Sequence, residues 1–170
     1  DHDAKFYRSL TFSAHDLKPQ VACPHSVDNV YSVDNLDGTP IQQAYLGSCT
    51  GGRYSDLVAA AQIVKGHRIA NGVRFLVSPA SQNIWKQAAQ DGILSILAEA
   101  GATILAPTCG LCVGVHSGLL ASHETCISST NRNFIGRMGS KESNIYLASP
   151  MTVAASALTG KISSPIHFLD

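Results

Sequence analysis

From residue 41 onward the chain alternates between short strand-like segments and longer helix-like segments. Residues 73–77 form a β-branched and aromatic run typical of a strand, and residues 43–46 predict a shorter strand. Between them, residues 54–65 carry apolar side chains at helical spacing, and Gly66 follows as a stop signal. A strand–helix–strand order predicts parallel strands joined by helical crossovers. The sequence therefore predicts an α/β domain with a mostly parallel sheet.

The same pattern continues toward the C-terminus. Helices are predicted over residues 83–90, with Ser81 as the N-cap, and over residues 93–100. Further strands are predicted over residues 102–106, 125–128 and 144–148. A last helix is predicted to begin at Pro150 and to stop at Gly160.

Residues 1–40 lack this alternation. We predict a strand over residues 6–12, followed by extended pieces and turns, because prolines and Asp/Asn/Gly pairs interrupt the segment. We therefore divide the chain into an extended arm, residues 1–40, packed on a neighbouring domain, and an α/β domain, residues 41–170. Because the chain starts abruptly without Met, we expect it to be a fragment or one domain of a larger protein.

The composition is that of a globular domain without a strong overall charge. Of the 170 residues, 45% are hydrophobic and 14% are charged, which argues against disorder. Twelve Lys and Arg balance twelve Asp and Glu, so no net field attracts nucleic acid or a membrane surface. No apolar run reaches the ~20 residues of a membrane span. We expect neither a nucleic-acid nor a membrane partner.

The five cysteines are odd in number and are not spread as a disulfide framework would be. We therefore expect a reducing compartment, either the cytoplasm or, in a eukaryote, the mitochondrial matrix. Cys126 lies within a predicted strand and is expected to be a small buried hydrophobe.

Cys49, Cys109 and Cys112 lie in two glycine-flanked segments that directly follow predicted strands. The carboxyl ends of parallel strands meet at one edge of a sheet, so all three thiols are expected at that edge. Neighbouring glycines let backbone approach a bulky inorganic centre and aim N–H groups at it. Three thiolates are one short of a closed four-ligand site, so this pattern predicts a metal centre with one open position.

The spacing of the cysteines alone does not decide between an iron–sulfur cluster and zinc, since both metals suit sulfur-rich tetrahedral sites. Zinc would need a fourth ligand, for which His116 and His67 are the candidates. A redox dithiol is disfavoured, because Pro107 and Gly114 indicate a loop rather than a helix that starts at Cys109.

Arg132 and Arg137 lie close together among polar amides in an otherwise charge-poor chain. The planar guanidinium group suits two-point recognition of carboxylate or phosphate. The Gly-rich loop ending in Lys that often binds phosphate is absent from the sequence. The pair therefore predicts an anion clamp.

Four segments occur in a characteristic order: residues 47–50, the Cys109–Cys112 pair, residues 129–137 and residues 148–150. Together they resemble the aconitase family of iron–sulfur hydro-lyases. Residues 17–29 resemble its 3-isopropylmalate dehydratase and homoaconitase branch more than aconitase itself. The resemblance covers residues 15–162 and implies a three-layer α/β/α domain.

The resemblance also implies a cofactor and site residues. Cys49, Cys109 and Cys112 would hold a [4Fe–4S] cluster, and Asn131 would hydrogen-bond near its sulfurs. Arg132 and Arg137 would contact a substrate carboxylate. The implied reaction is dehydration and rehydration of a 2-hydroxy di- or tricarboxylate. The first candidate for this substrate is 3-isopropylmalate, an intermediate of leucine biosynthesis. Aconitate or homoaconitate hydration, and a non-catalytic iron–sulfur binding or sensing module, are the alternatives.

Two departures from the family pattern stand out. Gly51 replaces the Asn that usually follows the first Cys-Thr pair, and the chain is much shorter than a family large subunit. It resembles the C-terminal domain of such a subunit. The implied partners are therefore the missing N-terminal domains, a small swivelling subunit or domain, and a small carboxylate substrate. Since the catalytic base cannot be located in this chain, we expect little activity from the chain alone.

Overall fold

The computed structural model describes residues 2–169. Within these residues the strands and helices are β1 (Gln20–Ala22), β2 (Val30–Ser32), β3 (Gln43–Gly47), α1 (Ser48–Gly51), α2 (Tyr54–Val64), β4 (Arg74–Ser78), α3 (Gln82–Gln90), α4 (Ile93–Ala100), β5 (Thr103–Ile104), β6 (Thr125–Ser128), β7 (Asn144–Ala148) and α5 (Pro150–Thr159). Short 3-10 turns cover Ala14–Asp16, Val33–Leu36, Leu111–Val113 and Pro165–Phe168. No helix in this part of the chain has the length and apolar character needed to cross a membrane.

The described strands form one sheet in the order β2-β1-β7-β6-β3-β4-β5. β3 lies between β4 and β6 and is parallel to both, and β5 and β7 extend the parallel pairing outward. β1 pairs antiparallel with both β2 and β7. The predicted α/β class with a mostly parallel sheet is confirmed.

The two faces of the sheet are covered by different parts of the chain. Successive residues of each strand point to opposite faces and so belong to different clusters. The helices α2–α5 contact one another and share the larger core cluster with one set of strand residues, among them Ala44, Leu46, Phe75, Val77 and Ile127. The smaller cluster joins the intervening strand residues to the segments that cross the other face, and contains Tyr45, Leu76, Cys126, Ile145, Leu111, Cys112, Leu120 and Met138. The second face is thus covered by connecting segments and one 3-10 turn.

The helix ends follow the local sequence signals. The Ser81 hydroxyl accepts a hydrogen bond from the Ile84 N–H and caps α3 as predicted. Gly101 and Gly160 end α4 and α5 in the left-handed conformation, which glycine adopts without a Cβ clash. Pro150 occupies the first turn of α5, where its missing N–H has no helical partner to lose.

The N-terminal segment differs from the prediction in two places. No strand forms over residues 6–12 in the described chain; these side chains are exposed and have no neighbouring strand to pair with. Residues 20–32, assigned to the extended arm, instead form the β1–β2 pair at the edge of the sheet. The packing of the arm, residues 1–40, on a neighbouring domain stays a prediction.

Deletion of residues 1–12 is expected to change the free energy of unfolding by less than about 0.5 kcal/mol, because residues 2–12 are exposed. By contrast, Leu57→Ala is expected to cost about 2–5 kcal/mol, since Leu57 is fully buried between the helices and the sheet. Urea unfolding followed by circular dichroism measures both. A deletion that costs as much as Leu57→Ala would show that this segment packs on the domain.

Candidate functional site

Both cysteine segments lie at the carboxyl edge of the parallel strands. The first segment directly continues β3 into the short helix α1. The chain leaves β3 for β4 on one side, whereas β6 pairs with β3 on its other side. The crevice where connections diverge in this way is the usual ligand position of an open α/β sheet. The fold therefore places the predicted metal residues where a ligand site is expected.

Cys49 is held on a tight turn between two neighbouring strands. Its thiol is exposed and lies 3.9 Å from the Thr50 hydroxyl. The preceding Ser48 is buried and has a φ of 69°, in the left-handed region that non-glycine residues rarely occupy. Cys49 and Cys109 line the same pocket of about 180 Å³, together with Pro79 and Pro107 among others.

The second cysteine segment is anchored to β4 and closed by a histidine. The Ser78 hydroxyl donates to the Ala106 carbonyl at 3.1 Å and so attaches the segment after β5 to the end of β4. The Thr108 hydroxyl accepts a hydrogen bond from the Gly110 N–H at 3.2 Å. A Cβ at Gly110 would lie 2.6 Å from the His116 ring, so a larger residue there would displace this exposed side chain.

Cys112 and Arg137 are brought into contact. Cys112 is buried within the 3-10 turn, and the Arg137 Nη2 lies 3.8 Å from its sulfur. The guanidinium carbon lies 5.3 Å from the centre of the Phe134 ring, a cation–π arrangement that fixes the plane of the group. The Arg137 Nε is buried without a hydrogen-bond partner among the described residues. Arg137 therefore places an incompletely hydrogen-bonded positive charge beside the Cys112 thiol, where it can attract an anion.

Arg132 and Asn131 lie on the same loop but are exposed. The Arg132 Nη1 donates to the Asn131 carbonyl at 3.3 Å. Arg132 also borders a pocket of about 190 Å³ with His25, Ser26 and Phe134 among its lining residues. Phe134 thus contacts Arg137 through its ring and borders the same pocket as Arg132, so the two arginines lie close to one another.

The two histidines considered as zinc ligands are placed differently. His116 contacts the second cysteine segment, with its Nε2 3.4 Å from the Thr108 hydroxyl. His67 follows the end of α2 and packs edge-on against Phe168 at 5.9 Å. Within residues 2–169, no three His, Cys, Asp or Glu side chains come close enough together to hold a single metal ion.

Two residues with structural roles at the site were not singled out from the sequence. The Asn133 amide donates to the Cys23 carbonyl at 2.8 Å and to the Ser26 carbonyl at 3.4 Å, and so attaches residues 23–26 to the arginine loop. The Ser129 hydroxyl bonds both ends of the turn that carries Cys49. The position of Asn133 next to Arg132 was a signal that could have drawn attention to it. For Ser129 there was no such signal in the sequence, because a serine after a strand is common.

Burial sets the ionisation of two groups beneath the site. Complete burial raises the pKa of the Cys126 thiol to about 12, and the predicted buried position of this cysteine is confirmed. Burial likewise raises the pKa of the Tyr45 hydroxyl to about 12. Both groups stay protonated near neutral pH, and Cys126 has no thiolate to offer a metal.

Comparison with known proteins identifies the family. The model of the aconitase family (aconitate hydratase) matches residues 1–160. The chain is 48% identical over 169 residues to the 3-isopropylmalate dehydratase large subunit 1 of Methanopyrus kandleri, covering 99% of this chain and 40% of the relative. It is 50% identical to the probable methanogen homoaconitase large subunit of Methanothermobacter thermautotrophicus, covering 97% of this chain and 39% of the relative.

A third relative, the 3-isopropylmalate dehydratase large subunit of Clostridium botulinum, is 49% identical over 97% of this chain and 39% of its own length. The chain belongs to the aconitase family. It spans about two fifths of the length of these curated relatives.

Stability is expected to fall at alkaline pH. Cys126 and Tyr45 have ordinary pKa values of 9.0 and 10.0, which burial raises to about 12. Between pH 9 and 12 the unfolded chain therefore loses protons that the folded chain keeps, and the free energy of unfolding decreases. Near neutral pH both groups are protonated in the folded and the unfolded chain, so they contribute no slope there.

Urea unfolding of the wild type at a series of pH values from 8 to 11.5 measures this slope. Tyr45→Phe removes one of the two ionisable groups with little change in volume and should make the alkaline loss shallower. An equal slope in both proteins would contradict the assigned role of Tyr45.

Proposed function

We propose that this chain is the cluster-binding domain of a [4Fe–4S]-dependent hydro-lyase that dehydrates and rehydrates a 2-hydroxy di- or tricarboxylate. The observation that carries this proposal is the contact between Cys112 and the half-buried guanidinium of Arg137, whose Nε has no partner. A thiol and a guanidinium cation side by side suit a centre that holds metal and anionic substrate together.

The cysteines fit an iron–sulfur cluster. All three thiols are free, two of them are exposed at one pocket, and the third borders Arg137. The three thiolates of a cluster bind three different iron atoms, so they need not converge on a single point as ligands of one zinc ion must. We infer that Cys49, Cys109 and Cys112 hold the cluster. When bound, it would supply a Lewis-acidic iron that makes the substrate hydroxyl a better leaving group.

Arg137 is the proposed carboxylate-binding residue. Its stacking on Phe134 fixes the guanidinium plane, so less side-chain freedom is lost when an anion binds. The Nε is covered by the protein, so the carboxylate would bind the terminal Nη1 and Nη2 donors of the group, which allow two-point binding. This arrangement holds the substrate in one orientation and counters the negative charge that develops during proton removal.

Arg132 and Asn131 are proposed to assist from the exposed rim. Arg132 offers a second cation on the other side of Phe134, where it can bind another carboxylate of the same substrate. The Asn131 side chain is exposed on the same loop, and we propose that its amide hydrogen-bonds near the cluster sulfurs. Because Gly51 stands where the family pattern has Asn, the first cysteine segment lacks one side-chain amide. We therefore propose that Asn131 provides more of the hydrogen bonding to the cluster.

The relatives suggest the substrate and the partners. Two of them are named 3-isopropylmalate dehydratase large subunit and one homoaconitase large subunit. We propose 3-isopropylmalate as the substrate, with homoaconitate or aconitate as alternatives, and leucine biosynthesis as the role. Further large-subunit domains and a small subunit would complete the site and supply the base. The free cysteines suit a reducing compartment such as the cytoplasm.

Anaerobic reconstitution with iron and sulfide tests the cofactor. The wild type is expected to turn brown and to bind about four iron and four sulfide per chain. Cys109→Ser should lose most of the visible absorbance. Cys126→Ala is the matched control and should retain it, because Cys126 is buried in the core. A colourless wild type that binds zinc instead would contradict the proposal.

Substitution of Arg137 tests carboxylate binding in the enzyme completed by its partner polypeptides. Arg137→Gln is expected to lower kcat/KM for 3-isopropylmalate by roughly 10–100-fold, the usual effect of losing a hydrogen bond to a charged group. Arg137→Lys should restore it only in part, since lysine lacks the planar fork. Arg68→Gln, at an exposed arginine, serves as the control. An Arg137→Gln enzyme with wild-type kcat/KM would remove Arg137 from substrate binding.

A further inference from the structure

We propose that Ser129 is the positioning residue of Cys49: its hydroxyl fixes the turn that presents the Cys49 thiol to the metal centre. The inference rests on the proposed function for the identity of that centre. The conformation of the turn itself follows from contacts within residues 45–52 and 78–80, together with Ser129.

One hydroxyl holds both ends of the turn. Ser129 is buried directly after β6, and its N–H donates to the Tyr45 carbonyl at 3.0 Å. Its Oγ accepts a hydrogen bond from the Gly47 N–H at 3.0 Å and donates one to the Gly51 carbonyl at 3.1 Å. Cys49 lies midway between these two glycines. A serine hydroxyl has a single hydrogen to donate, which here goes to the Gly51 carbonyl at the end of the turn. One of its lone pairs accepts from the Gly47 N–H at the start of the turn.

The turn needs such a restraint because its conformation is unfavourable by itself. Ser48 has a φ of 69° although it is not glycine. A residue in this region persists only when its surroundings determine the conformation. Helix α1 has four residues, too few to be stable by its own hydrogen bonds. The Cys49 thiol is exposed and makes a long contact of 3.9 Å with the Thr50 hydroxyl, so it adds little restraint.

Close packing from both neighbouring strands leaves the turn one position. A Cβ at Gly51 would lie 2.3 Å from the Ser129 carbonyl oxygen and hydroxyl, so glycine is what permits the approach. On the opposite side, a Cβ at Gly47 would lie 2.4 Å from the Ser78 carbonyl oxygen. The turn is therefore wedged between the ends of β4 and β6. On the β6 side a side-chain hydroxyl, that of Ser129, holds it at both ends.

Amide hydrogen exchange of the isolated chain tests the restraint without any metal. Ser129→Ala leaves the Gly47 N–H without its acceptor, so exchange of this amide should accelerate by about tenfold or more relative to the Phe75 amide in the sheet. Ser128→Ala is the matched control: its hydroxyl is equally buried but bonds to Thr130 instead. Unchanged relative exchange at Gly47 in Ser129→Ala would overturn the proposal.

Loss of visible absorbance from the reconstituted protein under an iron chelator tests the consequence for the metal. Ser129→Ala should bleach about tenfold faster than the wild type, Ser128→Ala at the wild-type rate, and Ser129→Thr, which keeps the hydroxyl, at a rate nearer the wild type. Equal bleaching of Ser129→Ala and wild type would overturn the positioning role, even if exchange at Gly47 accelerates.

The two measurements separate the two proposals. A wild type that assembles no cluster would contradict the proposed function, and hydrogen exchange would still decide whether Ser129 fixes the turn. If Ser129→Ala does not fold, Gly51→Ala is the second variant, because its Cβ would push the turn away from Ser129. It should accelerate both exchange at Gly47 and bleaching, and wild-type values for it would count against the proposal.

Discussion

The parallel pairing of β3 with strands on both sides is the constraint on which the rest of the structure depends. All five residues of β3 are buried, and its register aligns Gly47 with Ser78 at the end of β4. The same strand is aligned with β6, so that Tyr45 pairs with Ser128 and the next residue, Ser129, reaches the turn after β3. A one-residue slip on either side would turn these side chains to the opposite face and separate the site.

Steric requirements at a few glycines turn this register into a rigid site. Gly47 and Gly51 contact the backbone or side chains of neighbouring strand ends, and Gly110 contacts the His116 ring. A Cβ at Gly47 would overlap the Ser78 backbone at the end of β4, and a Cβ at Gly51 would overlap the Ser129 backbone and the hydroxyl that is hydrogen-bonded to the turn. The cysteine segments are therefore held by packing against the sheet, although they contain little regular structure of their own. Such support is what a metal site needs to keep its ligands in place.

Sequence periodicity predicted the strands and helices that bury a long apolar face, and it failed where pairing alone makes the structure. α2–α5 and β3, β4, β6 and β7 follow from spacing and from cap residues. β1 and β2 have three residues each, too short for an alternating pattern, and they form because β7 offers an edge. The site shows the same division. The cysteines and arginines could be found from their motifs, but only the fold shows that Arg137 is half-buried against Cys112 while Arg132 is exposed.

That difference between the two arginines bears on how the proposed reaction would be organised. Charges at an exposed edge are screened by water, whereas a partly buried guanidinium keeps a larger share of its interaction with an anion. Arg137 is therefore already partly shielded from water within this chain. Arg132 and the thiols of Cys49 and Cys109 are exposed, so their interactions with a ligand become stronger only when another part of the protein covers this edge of the sheet. We propose that the remaining domains and the small subunit provide this cover. The chain would then contribute the cysteine segments and arginines, held in place by the sheet. The attraction between these groups and the substrate would increase when the other domains exclude water from the site.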